Sequence, residues 1–326
     1  MLMNPVSLLS ATDLYKTFRV SSQGHSTRSL TALDRVSLHL ESGETLGIAG
    51  ESGCGKSTLA KIMAGLLAPD AGAVLYKGTP LAELGRDEGN VFRRKTQMIF
   101  QDPFSSLNPR MRIGDSISEP FKIAGMTAPQ QRPELERIMS AVGLAPEAAN
   151  RFPDEFSGGQ RQRIGIARAL AASPEILIAD EPVSSLDISI QAQIINILLQ
   201  MKSDFTLSMM IVSHNLLILR HICDRIIIMY LGAIVESGPA AELFSRCRHP
   251  YTEALIAAIP GLHTTAAAKS ELLRDDLPSA LSIPSGCRFH PRCRHAVDRC
   301  RHETPALTEY SGGHSSACHL SDSLFG

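Results

Sequence analysis

The chain has 326 residues, 44% hydrophobic and 20% charged, enough for one large α/β domain with an appendage and close to the globular norm, which excludes disorder, collagen and coiled coil. Thirty-two basic residues against thirty-three acidic ones leave a net charge of -1, so no global field recruits nucleic acid or anionic lipid, and partner choice falls to local surfaces. Lys16 is the first basic side chain, so no positive n-region opens a signal peptide, and no apolar run approaches the roughly 18 residues of a membrane span. The expectation is a soluble chain that docks on a membrane protein.

Strand-like segments rich in branched residues fall at 45–49, 97–100, 176–179, 209–212 and 225–230, alternating with helical patterns. Such alternation predicts crossover units and a largely parallel sheet. Between Asp102 and Phe156 the strand signals stop, and Pro120, Pro129, Pro133 and Pro153 punctuate helical segments. This predicts a helical insertion at about 102–160. Leu231 and Gly232 separate two apolar runs and predict a hairpin that closes the sheet. The domain ends between Phe244 and residue 250, giving 1–250 as the main domain and 251–326 as an extension. Residues 263–285 read as a linker wrapping the surface. There is no internal repeat and one phosphate-binding loop, so any second motor is another chain.

Gly50-Glu51-Ser52-Gly53-Cys54-Gly55-Lys56-Ser57 fits G-x-x-x-x-G-K-S, directly after a strand and before a helical run that starts at Thr58. Such glycines let the backbone curl until its N–H groups and the helix N-terminus face phosphate oxygens; Lys56 adds a point charge and Ser57 would ligate Mg²⁺. Cys54 stands at a variable position, as a small filler. The buried strand at 176–179 leads into two acids, Asp180 and Glu181. Asp180 would hold Mg²⁺ through its water shell, and Glu181 would polarise the attacking water.

Phe156-Ser157-Gly158-Gly159-Gln160-Arg161-Gln162-Arg163 forms a second anion nest, or a plain N-cap, at the head of a helix. Together with the two sites above it resembles the signature sequence of ABC ATPases. The resemblance implies the fold of an ABC nucleotide-binding domain: an α/β phosphate-loop core, a helical subdomain and an antiparallel β subdomain, here with a cysteine-rich C-terminal extension. It also implies a head-to-tail pair with two ATP molecules between the chains, each signature meeting the γ-phosphate held opposite. Gln101 resembles the Q-loop glutamine, which senses Mg²⁺ and the γ-phosphate. Ser184-Ser185-Leu186-Asp187 resembles the D-loop, and His214 the switch histidine, with Asn215 where an aspartate often follows. Phe18 lies where the family places an aromatic against adenine, with Tyr15 as its rival.

Phe100-Gln101-Asp102-Pro103, Ser106-Leu107-Asn108-Pro109-Arg110, Met229-Tyr230-Leu231-Gly232 and Arg248-His249-Pro250-Tyr251-Thr252 narrow the resemblance to the oligopeptide/dipeptide uptake subfamily, in the manner of its second ATPase subunit. The function implied is ATP hydrolysis that energises import of di- or oligopeptides from the cytoplasmic face of the membrane. The partners implied are a second ATPase subunit, identical or paralogous, two transmembrane permease subunits and, indirectly, an extracytoplasmic solute-binding protein, with no nucleic acid. Alternatives are a nickel- or metal-chelate importer or a glutathione-type importer of the same subfamily, and a soluble ABC protein outside transport.

Of seven cysteines, four crowd the tail as Cys287-x5-Cys293-x6-Cys300-x17-Cys318. In a cytosolic setting four thiolates suit zinc or an iron–sulfur cluster, or stay unligated; the spacing lacks the C-x2-C knuckles typical of structural zinc, which weakens that reading, although His290, His295, His302, His314 and His319 are further candidate ligands. Arg288, Arg292, Arg294, Arg299 and Arg301 surround the first three cysteines, either offsetting an anionic cluster or forming a solvated basic face. Similar tails in the peptide-transporter subfamily imply a [4Fe-4S] cluster.

Overall fold

The structure is a computed structural model that describes residues 7–21, 27–102, 106–184, 186–259 and 280–325. Pro103, Ser185 and residues 263–279 of the expected linker lie outside the described residues. In chain order it places β1 (Leu9–Ser21), β2 (Thr27–Leu40), β3 (Thr45–Ala49), α1 (Lys56–Met63), β4 (Ala71–Tyr76), β5 (Thr79–Pro80), α2 (Arg86–Lys95), β6 (Thr96–Ile99), α3 (Ile113–Ile123), α4 (Ala128–Ala141) and α5 (Gly158–Ala171). It continues with β7 (Ile176–Asp180), α6 (Ile188–Phe205), β8 (Ser208–Val212), α7 (Leu216–Ile222), β9 (Arg225–Tyr230), β10 (Ala233–Pro239), α8 (Ala240–Ser245) and α9 (Pro250–Ala257). The tail adds α10 (Asp298–His302), β11 (Thr308–Glu309), β12 (Ser315–Ser316) and α11 (Ser321–Phe325). Among the described residues no helix is long and apolar enough to cross a membrane.

Two compact units result. The first comprises Met1–His39, Thr45–Ala82 and Ser213–Gly326. A four-stranded sheet runs β2-β1-β4-β5, with β4 antiparallel to both β1 and β5. Branched-residue clustering does not reveal β1, because that strand carries charges and alternates buried Leu9, Ala11 and Leu14 with half-exposed positions. In the same unit β3 runs parallel to β9, and β9 pairs antiparallel with β10. All five residues of β3 are buried, which is why that strand reads as an unbroken apolar run. The expected hairpin is present: Tyr230 faces Ala233, and Leu231 and Gly232 both take positive φ, 44° and 81°, as a two-residue primed turn demands. The tail joins this unit by pairing β12 with β10.

The second unit comprises Leu40–Glu44 and Glu83–Val212. Here β6, β7 and β8 run parallel, with β7 central and buried along its whole length. The segment expected to be helical contains α3, α4 and two short 3-10 turns. Pro120 and Pro133 lie inside α3 and α4 rather than between helices.

Candidate functional site

In the first unit the loop 50–57 joins β3 to α1. Gly50 has φ 146° and Gly55 φ 106°. A Cβ at Gly50 would stand 2.3 Å from the Met229 carbonyl oxygen, and one at Gly55 2.2 Å from that of Ala32. Both positions therefore require glycine, for conformation and for space. The Cys54 carbonyl accepts from the Gly232 N–H at 2.9 Å, which ties the loop to the β9–β10 hairpin. Lys56 is buried, and its Nζ donates to the carbonyls of Gly50 and Glu51, both at 2.8 Å. Ser52 and Gly53 form the exposed rim, while Ser57 and Thr58 begin α1 half-buried. Burial holds the Cys54 thiol above its ordinary range, consistent with a neutral filler.

Glu51 is bound on three sides. Its N–H donates to the Tyr251 hydroxyl at 3.0 Å, its carbonyl accepts from Lys56, and its carboxylate receives both terminal nitrogens of Arg292 at 2.8 and 3.1 Å. Behind these contacts Tyr230, Tyr251 and Phe289 pack with ring centroids 4.7 to 5.4 Å apart. Arg288 donates to the Leu231 carbonyl and the Asp34 carboxylate.

His214 is exposed just after β8. Asn215 caps α7, its side-chain oxygen accepting from Leu217 N at 3.0 Å and Ile218 N at 3.4 Å. A carboxylate would cap the same way, so asparagine here preserves the turn that presents His214. The Phe18 ring is 38% exposed with the Lys16 ammonium 5.8 Å from its centroid; Tyr15 is half-buried. Phe18 thus has the more accessible face for stacking.

The second unit carries the acids. Asp180 ends β7 and is buried. Glu181 takes a left-handed backbone, φ 47°, uncommon for a residue with a side chain and costing of order 1 kcal/mol or more. Its N–H donates to the Val212 carbonyl at 2.9 Å, and its own carbonyl accepts from the N–H and hydroxyl of Ser184. Its carboxylate accepts from Gln101 Nε2 at 3.3 Å. Ser157 caps α5, accepting from Gln160 N at 3.4 Å while the Gln160 side chain accepts from Ser157 N at 3.0 Å. The plain-cap reading is therefore realised for that pair. Gly158 is half-buried. A Cβ at Gly159 would lie 2.5 Å from Ile190 Cγ2, so that glycine lets α5 approach α6. Asp187 stands exposed at the N-cap of α6.

In the tail, Cys287, Cys293, Cys300 and Cys318 line one small pocket with His249, His290, His319 and Phe289. No disulfide joins any of the seven cysteines. Burial, with the other three thiols adding to it, pushes Cys287 up to about 12; burial, then Cys293, Cys300 and Glu236, pushes Cys318 up to about 11. The donor set is right for a thiolate-bound metal, yet among the described residues no group of three or more His, Cys, Asp or Glu is drawn together to hold one. What the structure shows of the expected centre is four thiols sharing one pocket. His314 is not among its walls; it is buried against Glu236, Nε2 to Oε1 2.7 Å. His302 pairs with Asp298, and His295 accepts from Arg294. Four of the five tail arginines are ion-paired: Arg288 with Asp34 and Arg292 with Glu51 away from solvent, and Arg294 with Glu253 and Arg299 with Glu303 on an exposed face. Sequence reading missed His249 as a wall of the thiol pocket and the Arg292–Glu51 pair.

The ABC transporter family matches residues 33–184, and the C-terminal region of oligopeptide/dipeptide transporters matches residues 235–300. A probable peptide ABC transporter ATP-binding protein of Sinorhizobium fredii is 49% identical over 89% of this chain and 82% of its own. The di/tripeptide transport ATP-binding protein DppF of Pseudomonas aeruginosa is 41% identical over 98% and 99%, and the oligopeptide transport ATP-binding protein AppF of Bacillus subtilis 44% over 97% and 98%. Among solved structures, the dimeric ATP-binding cassette MJ0796, in a post-hydrolysis state with ADP and Pi, superposes with a TM-score of 0.64 at 28% identity, covering 71% of this chain and 98% of that one.

Proposed function

The chain belongs to the ABC transporter family of ATP-binding proteins, and from that premise we propose that it hydrolyses ATP to drive import of di- or oligopeptides through partner membrane subunits. The observation that carries the reading is the loop 50–57, whose two sterically required glycines and buried Lys56 form a phosphate cradle in a chain whose relatives are named for peptide transport. Those names favour peptides over metal chelates or glutathione.

In this reading the loop N–H groups and Lys56 bind the phosphates, and Phe18 stacks on the adenine. Ser57, Gln101 and Asp180 would hold Mg²⁺, which when bound screens the phosphate charge. Glu181 accepts a proton from the attacking water, with Gln101 orienting its carboxylate; His214 contacts the γ-phosphate. Ser157, Gly158, Gly159 and Gln160 serve the ATP of the opposite ATPase subunit, and Asp187 faces that subunit. The assembly sits at the cytoplasmic face of the membrane with two permease subunits, supplied by an extracytoplasmic binding protein. The test is reconstitution: ATPase activity should rise on adding a second ATPase and the membrane subunits, and peptide accumulate in vesicles. Full activity from a strictly monomeric preparation would sink the paired-site reading.

For the tail, four thiols in one pocket support a [4Fe-4S] site, a structural or sensory centre apart from ATP chemistry. Anaerobically purified protein should carry about four irons and matching sulfide per chain, lost in Cys293→Ser. Stoichiometric zinc in colourless protein, or four titratable thiols without metal, overturns this.

A further inference from the structure

Glu51 places a carboxylate inside a loop built to receive a triphosphate. Left loose, that charge would repel the ligand the loop attracts. It is not loose: Arg292 grips both carboxylate oxygens, and the pair is shielded, with side-chain exposures of 5% for Arg292 and 23% for Glu51. Fork-on-fork pairing of this kind fixes direction as well as charge. Two further contacts make the grip rigid. Phe289, three residues before Arg292, packs on Tyr251, whose hydroxyl accepts from Glu51 N. Arg288 anchors the same turn to the Leu231 carbonyl, and the neighbouring Gly232 N–H donates to the Cys54 carbonyl of the loop.

Tyr251, Arg288, Phe289 and Arg292 all lie beyond residue 184, where the match to the ABC transporter family ends. We propose that Arg292 is a positioning residue for the nucleotide: by neutralising and holding Glu51 it keeps the phosphate loop in its ATP-receiving shape, so the cysteine-bearing tail forms part of the ATP site. The proposal rests on the reading of loop 50–57 as the ATP site.

The test uses the assembled transporter, measuring KM and kcat for ATP beside direct ATP binding. Arg292→Ala should raise KM about five- to tenfold while kcat at saturation falls by less than about twofold, the pattern of lost ground-state binding. Arg292→Lys, which keeps the charge without the fork, should raise it by about two- to threefold, and it carries the test if the alanine variant does not fold. Glu51→Gln combined with Arg292→Ala should bind ATP within about twofold of Glu51→Gln alone, because both changes act through one carboxylate. Normal ATP affinity in a folded arginine variant, or penalties that multiply in the double variant, overturns the proposal. Wild-type protein that binds no ATP would instead remove the phosphate-loop reading, and the proposal with it.

Discussion

The Gln101 side-chain amide donates to the Glu181 carboxylate at 3.3 Å, although the two residues stand 80 positions apart. The contact joins the end of β6 to the end of β7, neighbouring parallel strands. The left-handed backbone at Glu181 fixes where that carboxylate leaves the sheet.

Glu181→Gln keeps the shape of the side chain and removes its ability to take a proton. Turnover should fall about 10²- to 10⁴-fold while ATP affinity stays within about twofold, and the assembled transporter should accumulate with ATP bound. Phosphate release near the wild-type rate would remove Glu181 as the base.

Lys56→Ala acts at an earlier step. Its ammonium bonds two loop carbonyls, and in the proposed function it also binds the phosphates, so its loss should cost both charge and loop order. Calorimetry should show ATP affinity reduced about tenfold or more, the worth of one charge-assisted contact. Unchanged affinity would count against the loop as the phosphate site.

His314→Ala should destabilise the fold and spare the thiol pocket. Glu236 is fully buried, and its Oε1 pairs with His314 Nε2 at 2.7 Å and accepts from the Arg248 N–H; removing one partner of a buried polar group costs roughly 1–3 kcal/mol. Denaturant titration should show that loss, while metal content per chain stays at the wild-type value. A drop in metal at unchanged stability would return His314 to the list of ligands.

Cys247 provides a pH readout. Burial, then the Glu236 and Glu253 carboxylates, pushes its thiol up to about 12. The reactive form is the thiolate, so alkylation near pH 8 should be about 1,000-fold slower than for an ordinary thiol and should climb about tenfold per pH unit until about pH 12. Mass spectrometry of iodoacetamide-treated protein measures this. Rapid labelling at pH 8 would mean the site is open to solvent.

What the sequence revealed was chemistry written into short windows. The loop 50–57 is legible because each glycine answers a local demand of the backbone, and Asp180–Glu181 because an all-buried strand must end in something polar. Strands β1 and β2 escaped the search for branched clusters because half-exposed strands alternate instead of forming runs. Only the family resemblance anticipated their sheet. The Arg292–Glu51 pair left no trace, since an ion pair spanning 241 positions has no local pattern; an arginine beside a cysteine reads equally well as solvated surface. The tail histidines show the same blindness: His314 and His319 look equivalent in sequence, and folding sends one to Glu236 and the other to the wall of the thiol pocket, its Nε2 on the Glu303 carbonyl.

The 241 positions between Glu51 and Arg292 also set a clock. A ribosome adding roughly 5–20 residues per second needs on the order of tens of seconds to travel that distance. Throughout that interval the phosphate loop exists without its clasp, its carboxylate unmatched. On the inference drawn here, a nascent or prematurely terminated chain meets cellular ATP with a weakened grip. Full nucleotide affinity then waits until the tail has been made.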